Sequence, residues 1–285
     1  MDILHQYKNG NCLVTLYNDG SKTREWEGEA LPLFPESCDI KISDYCDANC
    51  AYCHEESTTA GKPCKVDDFA HLINKLPAGV ELAIGGGDPL SHPNFADLIG
   101  LAKKEGLVCN ITVNAVHIAR YAEQINRLRE NRDIYGLGIS WNKSKERNIA
   151  EIGDKNTVLH VIMGVHSPYD IMRVRQKKIL ILGYKTYGRG IKYHNQKVVD
   201  NIKLWNYWFE RLCRLKHISL DNLAIEQLRI KERILPELWA ERYMGDDGKF
   251  TMYVDAVSMK YGASSTKDRI PLGGMTIREA FSVLS

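Results

Sequence analysis

The sequence predicts an α/β fold, a partial, open (β/α)6 barrel, and three observations carry that expectation. From residue 39 to about residue 190, short apolar runs alternate with amphipathic helical patterns, as successive βαβ units on a parallel sheet do. The visible units number six, fewer than the eight of a closed barrel. The chain has 285 residues, 44% hydrophobic and 26% charged, which suits one sizeable core. No run approaches the ~18 apolar residues of a membrane span. The opening MDILHQYKNG lacks the basic-then-apolar layout of a secretory leader, so a cytoplasmic protein with no membrane partner is expected.

Taken in order, Asn11–Tyr17 and Lys22–Glu27 flank Asn18-Asp19-Gly20, a hairpin signal because such a turn needs positive φ. Strands are expected at Asp39–Ser43, Val80–Ile84, Leu107–Val113, Gly136–Trp141, Thr157–Met163 and Lys178–Leu182. Helices fall between them at Val66–Leu76, Asn94–Lys104, Ala119–Asn131 and Pro168–Gln176. Gly106 stops the second, and Ser167-Pro168 starts the fourth as an N-cap followed by proline. Beyond the barrel, Lys197–Lys216 reads as one long helix with Val199, Ile202, Trp205, Phe209, Leu212 and Cys213 on its apolar stripe. A strand at Ile218–Ile225 and a hairpin-like end around Phe250–Val257 follow. The expected organisation is an N-terminal hairpin extension (1–38), a barrel core (39–195) and an α+β C-terminal extension on the substrate side (196–285).

Eight cysteines without a leader argue for metal or redox chemistry over a disulfide framework. Three of them, Cys46, Cys50 and Cys53, form a C-x3-C-x2-C loop directly after the first barrel strand. Three thiolates on one loop can hold three irons of a [4Fe–4S] cluster and leave the fourth iron open. Structural zinc is the rival reading, with Cys38 or Cys64 recruited as a fourth ligand.

This loop, with Tyr52 just before its third cysteine, resembles the signature of the radical S-adenosylmethionine (SAM) superfamily. Gly85-Gly86-Gly87-Asp88-Pro89, after the second barrel strand, is similar to that family's Gly-Gly-Glu-Pro segment, with Asp88 in place of the usual glutamate. The resemblance implies a partial barrel, cluster ligation by Cys46, Cys50 and Cys53, and SAM bound at the open iron. It also implies reductive cleavage of SAM to a 5′-deoxyadenosyl radical, with electrons from a flavodoxin- or ferredoxin-like donor. Further cofactor contacts are expected from Tyr52, from the 85–89 segment and from the strand ends Asn114, Ser140, and Ile162 with Gly164; His160 replaces the leading glycine of the last motif. Residues 21–61 also resemble uncharacterised radical SAM proteins of bacteriophage genomes. The C-terminal GDDGKFTMYVDAV and LGGMTIREAFSVL loosely resemble the ends of radical SAM peptide maturases. No cysteine follows Cys213, so one cluster and a redox-neutral outcome are expected.

Charge bears on the substrate. Between Arg173 and His217 twelve Lys/Arg face two acids, a segment of +10, while the remainder sums to −8 and the whole chain to +2. Lys185, Tyr187, Arg189 and Lys192 follow the sixth strand, interleaved with Tyr184 and Tyr193. Basic side chains meeting phosphates and aromatic faces stacking bases suit a single-stranded nucleic acid. The first expectation is therefore a nucleotide or DNA-base modification, with Arg189 and Lys192 on phosphate. The second is a peptide-modifying maturase, and the third a non-enzymatic iron–sulfur or zinc protein. Cys213 and Asp255 are possible catalytic helpers, and His54 and Glu55 stand where they can orient the cysteine loop.

Overall fold

The computed structural model describes residues 2–284. A separate antiparallel sheet opens the chain: β1 (Ile3–Asn9), β2 (Cys12–Tyr17) and β3 (Lys22–Glu25). The expected hairpin is its β2–β3 half. The main sheet then builds in sequence from β4 (Ser37–Ser43), β5 (Glu81–Gly86), β6 (Val108–Asn114), β7 (Gly136–Ser140), β8 (Thr157–Ile162) and β9 (Lys178–Leu182), each parallel to the next.

The count of six needs correction. A seventh parallel strand, β10 (His217–Leu220), pairs with β9, and at the other edge β11 (Thr251–Asp255) pairs in parallel with β4. The antiparallel β12 (Lys260–Gly262) and β13 (Ile270–Pro271) complete a ten-stranded sheet. The C-terminal portion thus enters the barrel wall itself. The strand expected to run to Ile225 stops at Leu220 because Asp221 accepts a hydrogen bond from the Ala224 amide and caps a short helix, Asn222–Gln227.

The connecting helices are α1 (Val66–Ile73), α2 (Phe95–Lys104), α3 (Ile118–Glu130), α4 (Glu146–Ile152) and α5 (Pro168–Arg173), then α6 (Arg189–Tyr193) and α7 (Gln196–Leu215). Helix α7 starts where the Asn195 side chain accepts from the amides of Lys197 and Val198, and it buries Val198, Trp205 and Leu212. Trp205 is fully buried, with its indole N–H on the His166 carbonyl at 2.8 Å. Cys213 departs from expectation: it is exposed near the C-terminal end of α7 and lines the lower part of the barrel cavity.

Residues alternating along the parallel strands divide between core and lumen. On β4 the outward Cys38, Ile40 and Ile42 pack under the helices, while Asp39 and Lys41 line the lumen. The walls are lined by Ala83, Gly85, Gly136 and Gly138, so a cavity of ≈ 1150 Å³ remains where a closed barrel would be filled. The β2–β3 turn lies across its lower end: the Asp19 carbonyl accepts from Lys178 Nζ at 2.8 Å, and Lys22 pairs with Glu81 at 2.5 Å.

Candidate active site

The upper rim is formed by the loops after the strands. Cys46, Cys50 and Cys53 lie half-buried on the loop after β4. That loop is fixed through its backbone. The Cys46 amide donates to the Thr58 carbonyl at 2.9 Å, and the Cys53 amide to the Cys50 carbonyl at 3.2 Å. Burial raises the Cys50 thiol and pushes Cys46 up to about 11, and the neighbouring cysteines add to both shifts. Thiols gathered this way are relieved by a bound cation, which deprotonates them.

Ligand number discriminates between the metals. Closed tetrahedral zinc needs a fourth protein ligand beside the three loop thiolates. Neither proposed fourth zinc ligand reaches the loop: Cys38 is packed in the core, and Cys64 faces His92 at 3.6 Å. The donor set fits the larger iron–sulfur cluster.

Segment 85–89 is zipped to the start of the cysteine loop. The Gly87 amide donates to the Ser43 carbonyl and the Asp88 amide to the Tyr45 carbonyl, both at 2.7 Å. The three glycines differ in purpose. A Cβ on Gly87 would lie 2.1 Å from the Tyr45 carbonyl oxygen, and one on Gly86, at φ +122°, 2.5 Å from that of Ser43. Gly85 meets nothing within 4 Å and leaves open space beside the lumen. We expect Gly87→Ala to part the two loops and to lower SAM affinity by at least about tenfold, read by equilibrium binding, while Gly85→Ala folds normally.

Asp88 is engaged through one carboxylate oxygen, and its buried Oδ1 has no hydrogen-bond partner among the described residues. Its carboxylate is fully buried, accepts from Tyr121 Oη at 2.9 Å and has His117 Nδ1 at 3.6 Å. The first turn of α3 holds the cysteine loop as well: His117 Nε2 and Arg120 Nη2 each lie 2.7 Å from Asp47. One helix start therefore clamps both loops. Pro89 opens a buried single turn behind them.

The remaining expected cofactor residues are spread around the rim. Asn114 Nδ2 donates to Cys50 Sγ at 3.4 Å. Ser140 ends β7 and its carbonyl accepts the Ala115 amide. Ile162 ends β8, with its amide on His166 Nδ1 at 2.9 Å. Gly164, at φ +81°, permits close approach of Val198. Tyr52 packs edge-on against His166 and Tyr193, and with Trp141 and His166 it lines a second cavity of ≈ 330 Å³.

Arg189 requires a correction. Its guanidinium donates to the Cys50 carbonyl at 2.9 Å and to the Ser57 carbonyl at 3.1 and 3.2 Å, so it is held by the cysteine loop and is not available to a phosphate. The flanking glycines explain the approach: a Cβ on Gly188 would meet the His54 carbonyl at 2.6 Å, and one on Gly190 the Lys185 carbonyl at 2.3 Å. The pattern Gly-Arg-Gly was the signal for this in the sequence. Tyr184 is buried with its hydroxyl on the Gly190 carbonyl. Lys192 and Tyr187 remain exposed on the rim.

Inside the lumen, sequence reasoning singled out His54, Glu55, Lys185 and Asp255 but missed Lys41 and Arg269, which bind the carboxylates together. Glu55, two residues past Cys53, accepts two hydrogen bonds from Arg269 and one from Lys41 at 3.0 Å. Asp255 accepts from Lys41 at 3.1 Å and from two backbone amides, which places it in this network. Burial works to raise the Glu55 carboxyl, but Arg269, His54 and Lys41 hold it down at about 2. Lys185 Nζ reaches Ser265 Oγ at 2.8 Å and His54 Nε2 at 3.3 Å. Burial, with Lys185 nearby, keeps His54 neutral at about 3 and His160 at about 4. Asp39 is pushed up to about 6 by burial, helped by Asp247 and Asp221 and opposed by Lys185.

Residues 40–174, the strands and loops that carry both rim segments, match the Radical SAM superfamily. The chain contains a radical SAM domain. Domains of that superfamily use a [4Fe–4S] cluster and SAM. No curated protein matches the chain in sequence. Among solved structures, Streptococcus suis SuiB bound to S-adenosylmethionine superposes with a TM-score of 0.58 at 13% identity, covering 88% of this chain and 64% of SuiB. SuiB bound to its precursor peptide SuiA gives 0.55 at 12% identity, covering 89% of this chain and 65% of SuiB. At such identity the likeness is one of fold. The chain spans less than two thirds of SuiB's length.

Proposed function

We propose that this chain is a radical SAM enzyme that holds a single cluster on Cys46, Cys50 and Cys53 and modifies a peptide side chain inserted into the barrel lumen. When bound and reduced, the cluster and SAM supply a 5′-deoxyadenosyl radical that abstracts a hydrogen atom from a substrate carbon. The protein's own part is to keep the loop in place through Arg189 and Asp47, to offer the open face of Gly85, and to exclude the hairpin side from access. Tyr52, Trp141 and His166 present an aromatic-walled cavity beside the loop, of a size for the nucleoside end of SAM. Reduction requires an external flavodoxin- or ferredoxin-like donor.

The observation that favours a peptide over a nucleic acid is the fate of the basic segment. Arg189 and Tyr184 are turned into the cysteine loop and its neighbours, and Tyr193 packs on Tyr52. A stacking platform for bases needs those rings exposed. The lumen instead carries discrete acids and bases at side-chain scale, and the SuiB fold accommodates a precursor peptide. A single cluster favours a redox-neutral outcome such as a rearrangement, in which the hydrogen atom taken from the substrate is returned to the product radical.

Anaerobically reconstituted protein with dithionite and SAM is expected to form 5′-deoxyadenosine, and the Cys46/Cys50/Cys53 triple alanine variant to form none. Peptides should accelerate its formation and carry deuterium into it from the attacked carbon; acceleration by oligonucleotides alone would overturn the peptide assignment. Iron near four per chain is expected, and eight would refute the single cluster.

A further inference from the structure

Two polar side chains of the lumen converge on one point. Thr112 on β6 and His160 on β8 both line the cavity, with Gly138 of β7 between them. A Cβ on Gly138 would lie 2.6 Å from His160 Nε2 and 2.9 Å from Thr112 Oγ1. The imidazole edge and the hydroxyl therefore meet over the bare backbone of β7. Both residues are half-buried, and among the described residues neither side chain has a hydrogen-bond or ion-pair partner. Their neighbours are already committed: Asn110 donates to Glu81, and Lys185 to Ser265 and His54.

Strand register sets the height of this pair. Thr112 lies two residues below Asn114, whose amide meets Cys50 Sγ, and His160 lies two below Ile162 at the end of β8. Two strand residues span roughly 6.6 Å, so the pair sits beneath the cofactor loops. His160 also stands where the resembling strand motif opens with glycine, and its ring fills lumen that glycine would leave open.

We propose that Thr112 and His160 form a substrate-recognition subsite of the lumen and hydrogen-bond the carboxamide of a glutamine or asparagine side chain. The match is one of donors and acceptors. Burial, with Lys185 nearby, holds His160 down at about 4, so at neutral pH the ring offers one N–H and one lone pair. The threonine hydroxyl likewise donates and accepts. A primary carboxamide presents a carbonyl and an NH2 side by side and satisfies both partners at once. A carboxylate only accepts, and an alkyl chain leaves both partners unmet. Reach agrees with depth. A glutamine side chain extends about 5 Å from its Cα and a hydrogen bond adds about 2.9 Å, so a backbone held at the rim brings the amide to the pair. The inference rests on the proposed peptide substrate for the carrier of the carboxamide, and on the lumen wall alone for the subsite.

The test uses the full chain, reconstituted and loaded with SAM but not reduced, at pH 7.5. The probes are the N-acetyl methylamides of glutamine, glutamate and norleucine. Calorimetric titration should show glutamine binding at least fivefold more tightly than either of the others. That preference should disappear in Thr112→Val, which keeps the side-chain shape, in His160→Leu, and in Gly138→Ala, whose Cβ displaces the ring. His160→Gln keeps a donor and an acceptor and should leave glutamine ahead by at least twofold. Equal binding of the three probes, tighter binding of glutamate or norleucine, or a preference unchanged in Thr112→Val overturns the proposal. A second readout needs no ligand: Thr112→Val removes no internal hydrogen bond and should melt within about 2 °C of the wild type. A larger fall would mean that the hydroxyl has a partner in the wall, and that also overturns the proposal. If the glutamine probe binds with this dependence but no peptide containing glutamine or asparagine accelerates 5′-deoxyadenosine formation, the subsite stands and the peptide reading fails.

Discussion

Replacing Glu55 by glutamine should destabilise the protein by about 3–5 kcal/mol, because it strips one member from a buried ionic network and leaves Arg269 and Lys41 under-matched. The Glu55 side chain is 8% exposed, and its partners come from β4 and from the segment after β12, so the loss reaches both the cysteine loop and the C-terminal wall. Chemical denaturation of the cluster-free protein measures it. The pH dependence has a definite sign. The folded carboxyl titrates at about 2, below its ordinary value of 4.5, so its stabilisation is complete above 4.5 and is lost as the pH falls through 2. The wild type should lose stability across that window, and Glu55→Gln should lack that component. An equally stable glutamine variant would mean the network contributes nothing.

The second large effect is expected at Arg189. Its fork holds the Cys50 and Ser57 carbonyls together from below, and lysine has one compact ammonium in place of a planar five-donor group. Arg189→Lys should bind less than half the wild-type iron after identical reconstitution, and Arg189→Met less still. Folding should survive, since the guanidinium bridges loops and not core elements. Far-ultraviolet dichroism, together with iron and sulfide assays, separates the two results. Full iron loading in Arg189→Met would show that the backbone hydrogen bonds at Cys46 and Cys53 suffice.

Much of the barrel could be read from residues alone, and the reasons are local. Strands β4 to β9 are buried β-branched runs punctuated by turn residues, and α7 announces itself by a twenty-residue amphipathic pattern with a clear Asn195 cap. Strand β11 could not be placed, because Thr251–Asp255 alternates as any edge strand would and its partner β4 lies more than 200 residues earlier. The end of β10 was misread because apolar alternation continues past Asp221, where the cap takes over. Arg189 was assigned by its charge, while the two glycines beside it carried the structural information. Asp39 and Lys41 share one face of a parallel strand, a pattern that calls for a polar interior. What the alternation could not convey is that Lys41 pairs with three carboxylates, Asp44, Glu55 and Asp255.

The β2–β3 turn across the lower end of the barrel limits how a polymer can be handled. With Asn18–Ser21 seated there against Asn156 and Lys178, the turn obstructs the lower end of the lumen. On the peptide reading proposed above, a substrate side chain enters from the rim and leaves by the same route. Several modifications on one substrate would then arise from separate visits, giving a distribution of partly modified products at early times.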